Sequence, residues 1–311
     1  MKKTVCTLTL NPALDLSGTV DLIKPNEKTY VHDEVRAPGG NSINCARILN
    51  RLEIPVRATG FLGGSTGLEI KALLDNEKVK NHFIKTTGTT RINVTVTNRS
   101  DHKQTRLSFS GPEISPEERR NLFNFVKKCR GVNILVIGGS LPPQFTTRHL
   151  SELILLAQKM KMEVIVDCPG EILSKIIFTK PLLIKPNLEE FHVMTETKVR
   201  SLKAVQKKAK EFLDKVPYIC VSSVEGGTLL VGREGNYFGK IPSVKVISTV
   251  GAGDSMVAGM ISQLQSGGVI PSEMLRWGLA AAAATLSEPG TTLGSASRIR
   301  QLYEKAVVRK I

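Results

Sequence analysis

No apolar run in this sequence reaches membrane-spanning length, which excludes a helical membrane protein. The opening segment MKKTVCTLTLNP has two lysines but then alternates apolar residues with threonine, and no small-residue cleavage site follows. It reads as a first strand and not as a signal peptide. Cysteine is sparse. Cys6, Cys45, Cys129, Cys168 and Cys220 are odd in number, scattered and without a CxxC pair. That excludes a disulfide framework and fits a reduced, cytoplasmic compartment. The five histidines are equally scattered and suggest no transition-metal site. Aromatic residues make up only 5% of the chain and are not interleaved with basic ones, which weighs against a base-stacking nucleic-acid surface. Neither GxxxxGK followed by Ser or Thr nor GxGxxG occurs, so the Walker and dinucleotide fingerprints are absent. Internal repeats, low-complexity segments and a long linker are missing too.

What is present describes an ordinary globular chain. The 311 residues can bury a sizeable core, and 41% hydrophobic with 23% charged residues is usual for a soluble protein. One domain spanning 1–311 is expected. The charge balance is basic, +15 from 43 Lys and Arg against 28 Asp and Glu. Such a surplus suits a polyanion or anionic small substrates. Much of it lies along amphipathic runs at 203–215 and 298–310 and reads as solvated helix faces, so neither a nucleic-acid nor a membrane partner is expected.

The order of patterns indicates an α/β fold. Residues 5–10 read as a strand that Asn11-Pro12 ends. Asp15 follows in the loop, either as a ligand carboxylate beyond a strand end or as a turn residue. Residues 16–35 form a hairpin around Lys24-Pro25-Asn26, and 91–110 form a second one. Together they make a small antiparallel lid. A helix at 41–52, a strand at 56–62 and a helix at 68–76 stand between them. From Pro116 helices and buried-looking strands alternate, which predicts a Rossmann-like, mostly parallel sheet sandwiched by helices. Ser140, Asp167, Lys185, Asn187 and Ser222 each fall just after a strand end, where such sheets bind ligands. A strand-like run at 244–247 leads into STVGAGDS, helices follow at 254–265 and 272–286, and a basic helix at 298–310 ends the chain.

STVGAGDS is the one glycine-rich anion site at a strand–helix junction. The N–H groups of Gly251, Ala252 and Gly253 would meet an anion at the helix N-terminus, with Asp254 beside it. The competing reading is a plain helix cap. Phosphoryl transfer needs a base, an anion hole, a divalent cation and a placed acceptor. Asp254 can be the base and 251–253 the hole. Asn187 and Glu190, three apart at a helix start, can face one Mg²⁺ or can form a capping box. Arg91 and Lys28 are cations at the lid that suit an anionic acceptor, or are plain surface charges.

These residues resemble a known family. TLTLNPALD, APGG with IN two residues on, TRINV, GGSLPP, VDCPGE, KPNxxE and STVGAGDSMVAG look like the ribokinase-like carbohydrate kinases. They are most similar to the hexose-phosphate kinase branch holding 1-phosphofructokinase, tagatose-6-phosphate kinase and minor 6-phosphofructokinase. The resemblance spans 7–295. It implies ATP with Mg²⁺ and a lid that is also the contact of a homodimer. Asp254 would be the catalytic base. Asp15, Gly39, Gly40 and Asn44 would hold the sugar, and Arg91, Ser140 and Lys28 its phosphate. Lys185, Asn187 and Glu190 would serve the ATP phosphates and their metal, with Ser222 and Gly227 near the nucleotide. K⁺ would sit by the anion hole, between the loops at 248–250 and 287–290.

Two positions depart from that pattern. Asn41-Ser42 stand where relatives carry glycine or lysine and then glycine, and Val224 stands where they carry glycine. The expected reaction is conversion of fructose 1-phosphate or fructose 6-phosphate to fructose 1,6-bisphosphate. Tagatose 6-phosphate is the alternative substrate. A non-catalytic sugar-phosphate or nucleic-acid binding protein on a kinase scaffold is the rival from another class.

Overall fold

The computed structural model describes residues 3–266 and 268–311. The N-terminal elements are β1 (Thr4–Thr9), β2 (Ala13–Val20), β3 (His32–Gly39), α1 (Asn41–Arg51), β4 (Val56–Leu62), α2 (Gly64–Asn76), β5 (Asn81–Lys85), β6 (Arg91–Asn98) and β7 (Gln104–Leu107). The middle of the chain alternates α3 (Pro116–Lys128), β8 (Val132–Gly138), α4 (Thr147–Lys159), β9 (Glu163–Asp167), α5 (Gly170–Ile176), β10 (Leu183–Ile184), α6 (Leu188–Thr195), α7 (Leu202–Lys210) and β11 (Tyr218–Val224). The last part holds β12 (Gly227–Gly232), β13 (Gly235–Lys240), α8 (Ala252–Gln263), α9 (Pro271–Leu286), α10 (Ala296–Lys305) and β14 (Val307–Lys310).

The ten-stranded sheet has the order β14-β13-β12-β11-β10-β9-β8-β1-β4-β5. From β11 to β5 every neighbour pair is parallel, and β12, β13 and β14 extend the edge antiparallel. Side chains alternate across a strand, so each strand feeds two cores. Val5, Ile134, Val136 and Ile165 pack on α1, α2, α8, α9 and α10. Cys6, Leu8, Leu135, Ile137 and Val164 pack on α3 to α7. That double coverage explains the near-continuous apolar strands. All seven parallel strands therefore end along one rim of the sheet, between the two helix layers.

The lid is a second sheet of order β3-β2-β6-β7. Its outer joints are antiparallel and its central joint, β2 with β6, is parallel, with Ala13 opposite Arg91 and Val20 opposite Asn98. The reason is topological. Both central strands run outward from the core rim, and both outer strands return to it. Asp15 therefore lies within β2 and not in a loop after β1, and the lid strands begin at 13 and end at 39 on one side, running from 91 to 107 on the other.

Two other segments differ from the sequence reading. Residues 244–247 join no ladder, and Val246 and Ile247 are exposed, so GAGD follows an extended loop and not a strand. The last basic segment is helical only to Lys305, after which β14 pairs with β13. Val307, Val308 and their neighbours alternate, and the open edge of β13 offers the backbone partners that a continued helix would leave unused.

Candidate active site

A cavity of about 860 Å³ opens where the strand ends meet the lid. Its floor comes from the ends of β1 (Thr9) and β9 (Asp167) and from residues just past the ends of β1 (Asn11), β8 (Gly139, Ser140) and β10 (Lys185), its wall from the starts of α1 and α8, and its roof from the lid. A smaller cavity of about 380 Å³ lies on the other side of α8, lined by Ser222, Ser223, Gly227, Thr228, Ala252 and Met256 among others. Gly253 borders both.

The N-terminus of α8 separates the two spaces. Gly251 is the N-cap at φ 77°, a left-handed conformation that glycine adopts without steric cost, and no side chain caps the helix. The first N–H groups are therefore left for a ligand, and the helix dipole favours an anion there. Asp254 sits on the first turn, buried, and accepts a hydrogen bond from Asn44 Nδ2 at 2.9 Å. Burial, and then the negative charge of Asp167, push its carboxyl from 3.8 up to about 7, against the pull of the Asn44 hydrogen bond. A carboxyl poised near neutrality is suited to proton abstraction.

The lid completes the large cavity. Strand register places Asp15 opposite Asn93, and Asn93 Nδ2 donates to Asp15 Oδ1 at 3.0 Å. Burial raises the Asp15 carboxyl, with the Asn93 hydrogen bond opposing. Gly39 is not a lining residue. It leaves room for Asp15, since a methyl group there would stand 2.3 Å from the carboxylate. Gly40 and Asn44 do line the cavity. Arg91 donates to the carbonyls of Phe109 (2.6 Å) and Asn11 (2.8 Å), which leaves its buried Nε without a partner. Ser140 Oγ accepts from Asn11 Nδ2 at 3.2 Å and lies 3.5 Å from Arg91 Nη2. Lys28 is elsewhere. It is exposed in the loop after β2, over the ring of Tyr30, and does not line the cavity.

The strand ends bear the other charges. Lys185 and Asp167 form a buried ion pair at 3.1 Å. Burial works against the ammonium, but Asp167 and its neighbours outweigh it and hold Lys185 above its usual value. Asn187 and Glu190 form the capping box of α6: each backbone N–H meets the other's side-chain oxygen at 2.8 Å. The bland reading of NxxE is thus realised. The same two residues also line the cavity, and only Oε2 of Glu190 is committed to the cap. Burial, and also Asp167, raise the Glu190 carboxyl. Asn187 and Ser222 are joined by an isolated parallel bridge, which links the two cavities' linings. Ser222 and Gly227 both border the smaller one. Val224 is buried in the core and is not among the left-handed residues, which beside it are Ser223 (φ 64°) and Glu225 (φ 45°).

Among the lining residues not assigned to the site from the sequence are the charged and amide side chains of Asn93, Arg106 and Asp167. Asp167 carried a signal, its place after a strand. Arg106 and Asn93 carried none that a hairpin reading could use, because only the register of β6 with β2 and β7 turns them onto the face of Asp15 and Arg91.

The sequence profile described as "pfkB family carbohydrate kinase" matches residues 1–298. The chain belongs to this family. It is a carbohydrate kinase. A 1-phosphofructokinase of Bacillus subtilis (strain 168) is 30% identical over 310 residues, covering 99% of this chain and 100% of the relative. A tagatose-6-phosphate kinase of Staphylococcus epidermidis (strain RP62A) is 30% identical over 267 residues, 84% of this chain and 85% of that one. The crystal structure of phosphofructokinase-2 from Escherichia coli in complex with substrates and products superposes with a TM-score of 0.92 at 34% identity, covering 97% of this chain and 99% of that one. The family places the doubly covered sheet and its lid among ribokinase-like folds.

Proposed function

We propose that this kinase transfers the terminal phosphoryl group of ATP to a hydroxyl of a ketohexose monophosphate. Fructose 1-phosphate or fructose 6-phosphate would give fructose 1,6-bisphosphate. The observation that carries this reading is the uncapped start of α8 between two cavities, with a buried carboxylate of near-neutral pKa on its first turn. The sugar phosphate occupies the larger cavity and the nucleoside of ATP the smaller. Asp15, Gly40 and Asn44 meet the sugar hydroxyls, and Arg91, Arg106 and Ser140 meet the phosphate.

Asp254 takes the proton of the acceptor hydroxyl. The sugar oxygen attacks the γ-phosphorus, the bond from that phosphorus to the β–γ bridging oxygen breaks, and ADP leaves on the far side of Gly253. The N–H groups of 251–253 and the Lys185 ammonium stabilise charge on the moving phosphoryl oxygens. Mg²⁺ on the ATP phosphates would supply further charge neutralisation. Glu190, which keeps one carboxylate oxygen beyond its cap, fits such a hard cation through water, as does Asn187 at its side. K⁺ is proposed where the loops at 248–250 and 287–290 meet; Ser248 Oγ donates to the Gly290 carbonyl at 2.7 Å and so holds the two loops together. The protein is also proposed to be a homodimer through the lid, where Tyr30, Val31, Val35 and Leu107 are exposed.

An ADP-release assay with Mg-ATP and a panel of fructose 1-phosphate, fructose 6-phosphate and tagatose 6-phosphate tests the reading. Turnover on at least one ketohexose phosphate, with kcat/KM in the range of 10⁴ M⁻¹ s⁻¹ or above, is the expected outcome. No turnover on any of them, with tight binding of a sugar phosphate or nucleic acid, would leave a binding protein on a kinase scaffold.

A further inference from the structure

The buried pair between Asp167 and Lys185 is a product of sheet register. β9 and β10 are adjacent and parallel, with Val166 opposite Ile184. Lys185 N–H donates to the Val166 carbonyl at 3.2 Å, so the next residues along, Asp167 and Lys185, meet at the rim. Their side chains are 8% and 6% exposed and lie 3.1 Å apart. A buried pair of this kind gains little net stability, because desolvation offsets attraction. Its geometry has a use, however. A methyl group at Gly253 would stand only 3.3 Å from Lys185 Nζ. The ammonium is therefore held against Gly253, which borders both cavities, over the start of α8.

The alternatives for that ammonium show why an anchor matters. A lysine has four rotatable side-chain bonds, and a catalytic charge must be placed within a fraction of an ångström. Asp254 is a second buried carboxylate in the same cavity, and Lys185 acts on it electrostatically. An ammonium that paired with Asp254 would occupy the base. Asp167 keeps Lys185 away from it.

We propose that Asp167 is a positioning residue for phosphoryl transfer, acting through Lys185, whose ammonium it fixes over Gly253 for the transferring phosphoryl group. This rests on the kinase reading above. It predicts a defect in turnover and not in acceptor binding, because neither side chain is needed to hold the sugar phosphate on the lid residues.

The test is a double-mutant cycle on the purified full chain, using Mg-ATP and a hexose phosphate that the wild type turns over. Asp167→Asn is expected to lower kcat at least 10-fold, with KM for the sugar phosphate changed less than 3-fold. Lys185→Met is expected to lower kcat at least as much. The double variant Asp167→Asn/Lys185→Met should be no slower than the worse single one, because the two act as one unit. Multiplicative losses in the double variant, or a kcat for Asp167→Asn within 2-fold of wild type, would overturn the proposal. Asp167→Glu guards against a single variant that does not fold. It keeps the charge but moves it by one methylene, so kcat should fall at least 3-fold while the melting temperature stays within a few degrees of wild type. Wild-type kcat in that variant would also overturn it. A wild type inactive on every hexose phosphate would overturn the kinase reading and this proposal together. That result is distinct from an active wild type with an uncoupled cycle.

Discussion

Asp254 carries two opposing demands. A base must be ionised to take a proton, but this carboxylate is buried, and burial with Asp167 nearby raises it to about 7. The activity consequence follows directly: kcat/KM should rise about tenfold per pH unit below 7 and level off above it. A profile measured from pH 5.5 to 9 that stays flat down to pH 5.5 would remove Asp254 as the base. The stability consequence has the opposite sign. The folded pKa lies above the unfolded one, so the stabilisation is fully present below pH 4 and is lost as pH rises through 7. A shift of about three units corresponds to roughly 4 kcal/mol at most. Asp254→Asn keeps an acceptor for Asn44 and removes the charge. It should lose at least 10³-fold in kcat yet melt higher than wild type at pH 8, with the gap closing towards pH 4. A variant that melts lower at pH 8 would show that the ionised carboxylate is not a burden to the fold. Much of this site could be read from local sequence, since Asp254, Gly251, Lys185 and Asn187 stand beside strand ends or helix starts that motifs mark. Arg106 and Asn93 could not, because their place depends on which strand lies beside which. Lys28 illustrates the converse: a cation near the right hairpin need not reach the cavity.

At the scale of elements, the packing of α8 on α9 decides how firmly Asp254 is held. α9 is rich in alanine, and Gly259 and Gly278 bring the helices close. Gly259→Ala sets two effects against each other. Alanine is favoured over glycine inside a helix by about 1 kcal/mol. Its methyl group would, however, meet the Trp277 carbonyl at 2.3 Å, a backbone atom that cannot turn aside. Overpacking of this kind costs about 1–3 kcal/mol, so the clash wins. The variant should melt several degrees lower and lose activity as α8 shifts. Trp277, the single tryptophan, stacks on Tyr303 with 4.3 Å between ring centroids and reports the shift by fluorescence. An unchanged or raised melting temperature would mean that the helices separate at little cost. The helices themselves were legible because their signals are local: Ser115-Pro116 with Glu118 forms a capping box at the start of α3. The loop at 244–247 was misread for the same reason. Its β-branched residues carry strand propensity, but they pair with no strand, and propensity without a partner makes no ladder.

For the whole molecule, the parallel α/β core follows from the rhythm of the sequence, since alternation of helices and apolar strands leaves few topologies. The shape of the lid does not follow from it, because a hairpin reading says nothing of how two hairpins join. The lid also leaves the largest question of assembly. β3 and β7 are the two opposite open edges of a four-stranded sheet; the exposed apolar residues Val35 on β3 and Tyr30 and Val31 on the loop before it lie at one edge, and Leu107 on β7 lies at the other. A sheet with unpaired edges and apolar side chains in water is stabilised by a second copy over it. Association would also steady the roof residues Asp15, Asn93, Arg91 and Arg106, which sit on the same four strands. Wild-type protein should therefore sediment at twice the chain mass at micromolar concentration. Val35→Asp places a charge at the exposed β3 edge, at a residue that does not itself line the cavity, and should raise the dimer dissociation constant at least 100-fold. Because the roof loses its support, kcat/KM should fall at least tenfold at concentrations where the variant is monomeric and recover as concentration rises. A wild type that sediments as a monomer at every concentration would end the proposal. A Val35→Asp variant that stays dimeric would move the interface away from the lid.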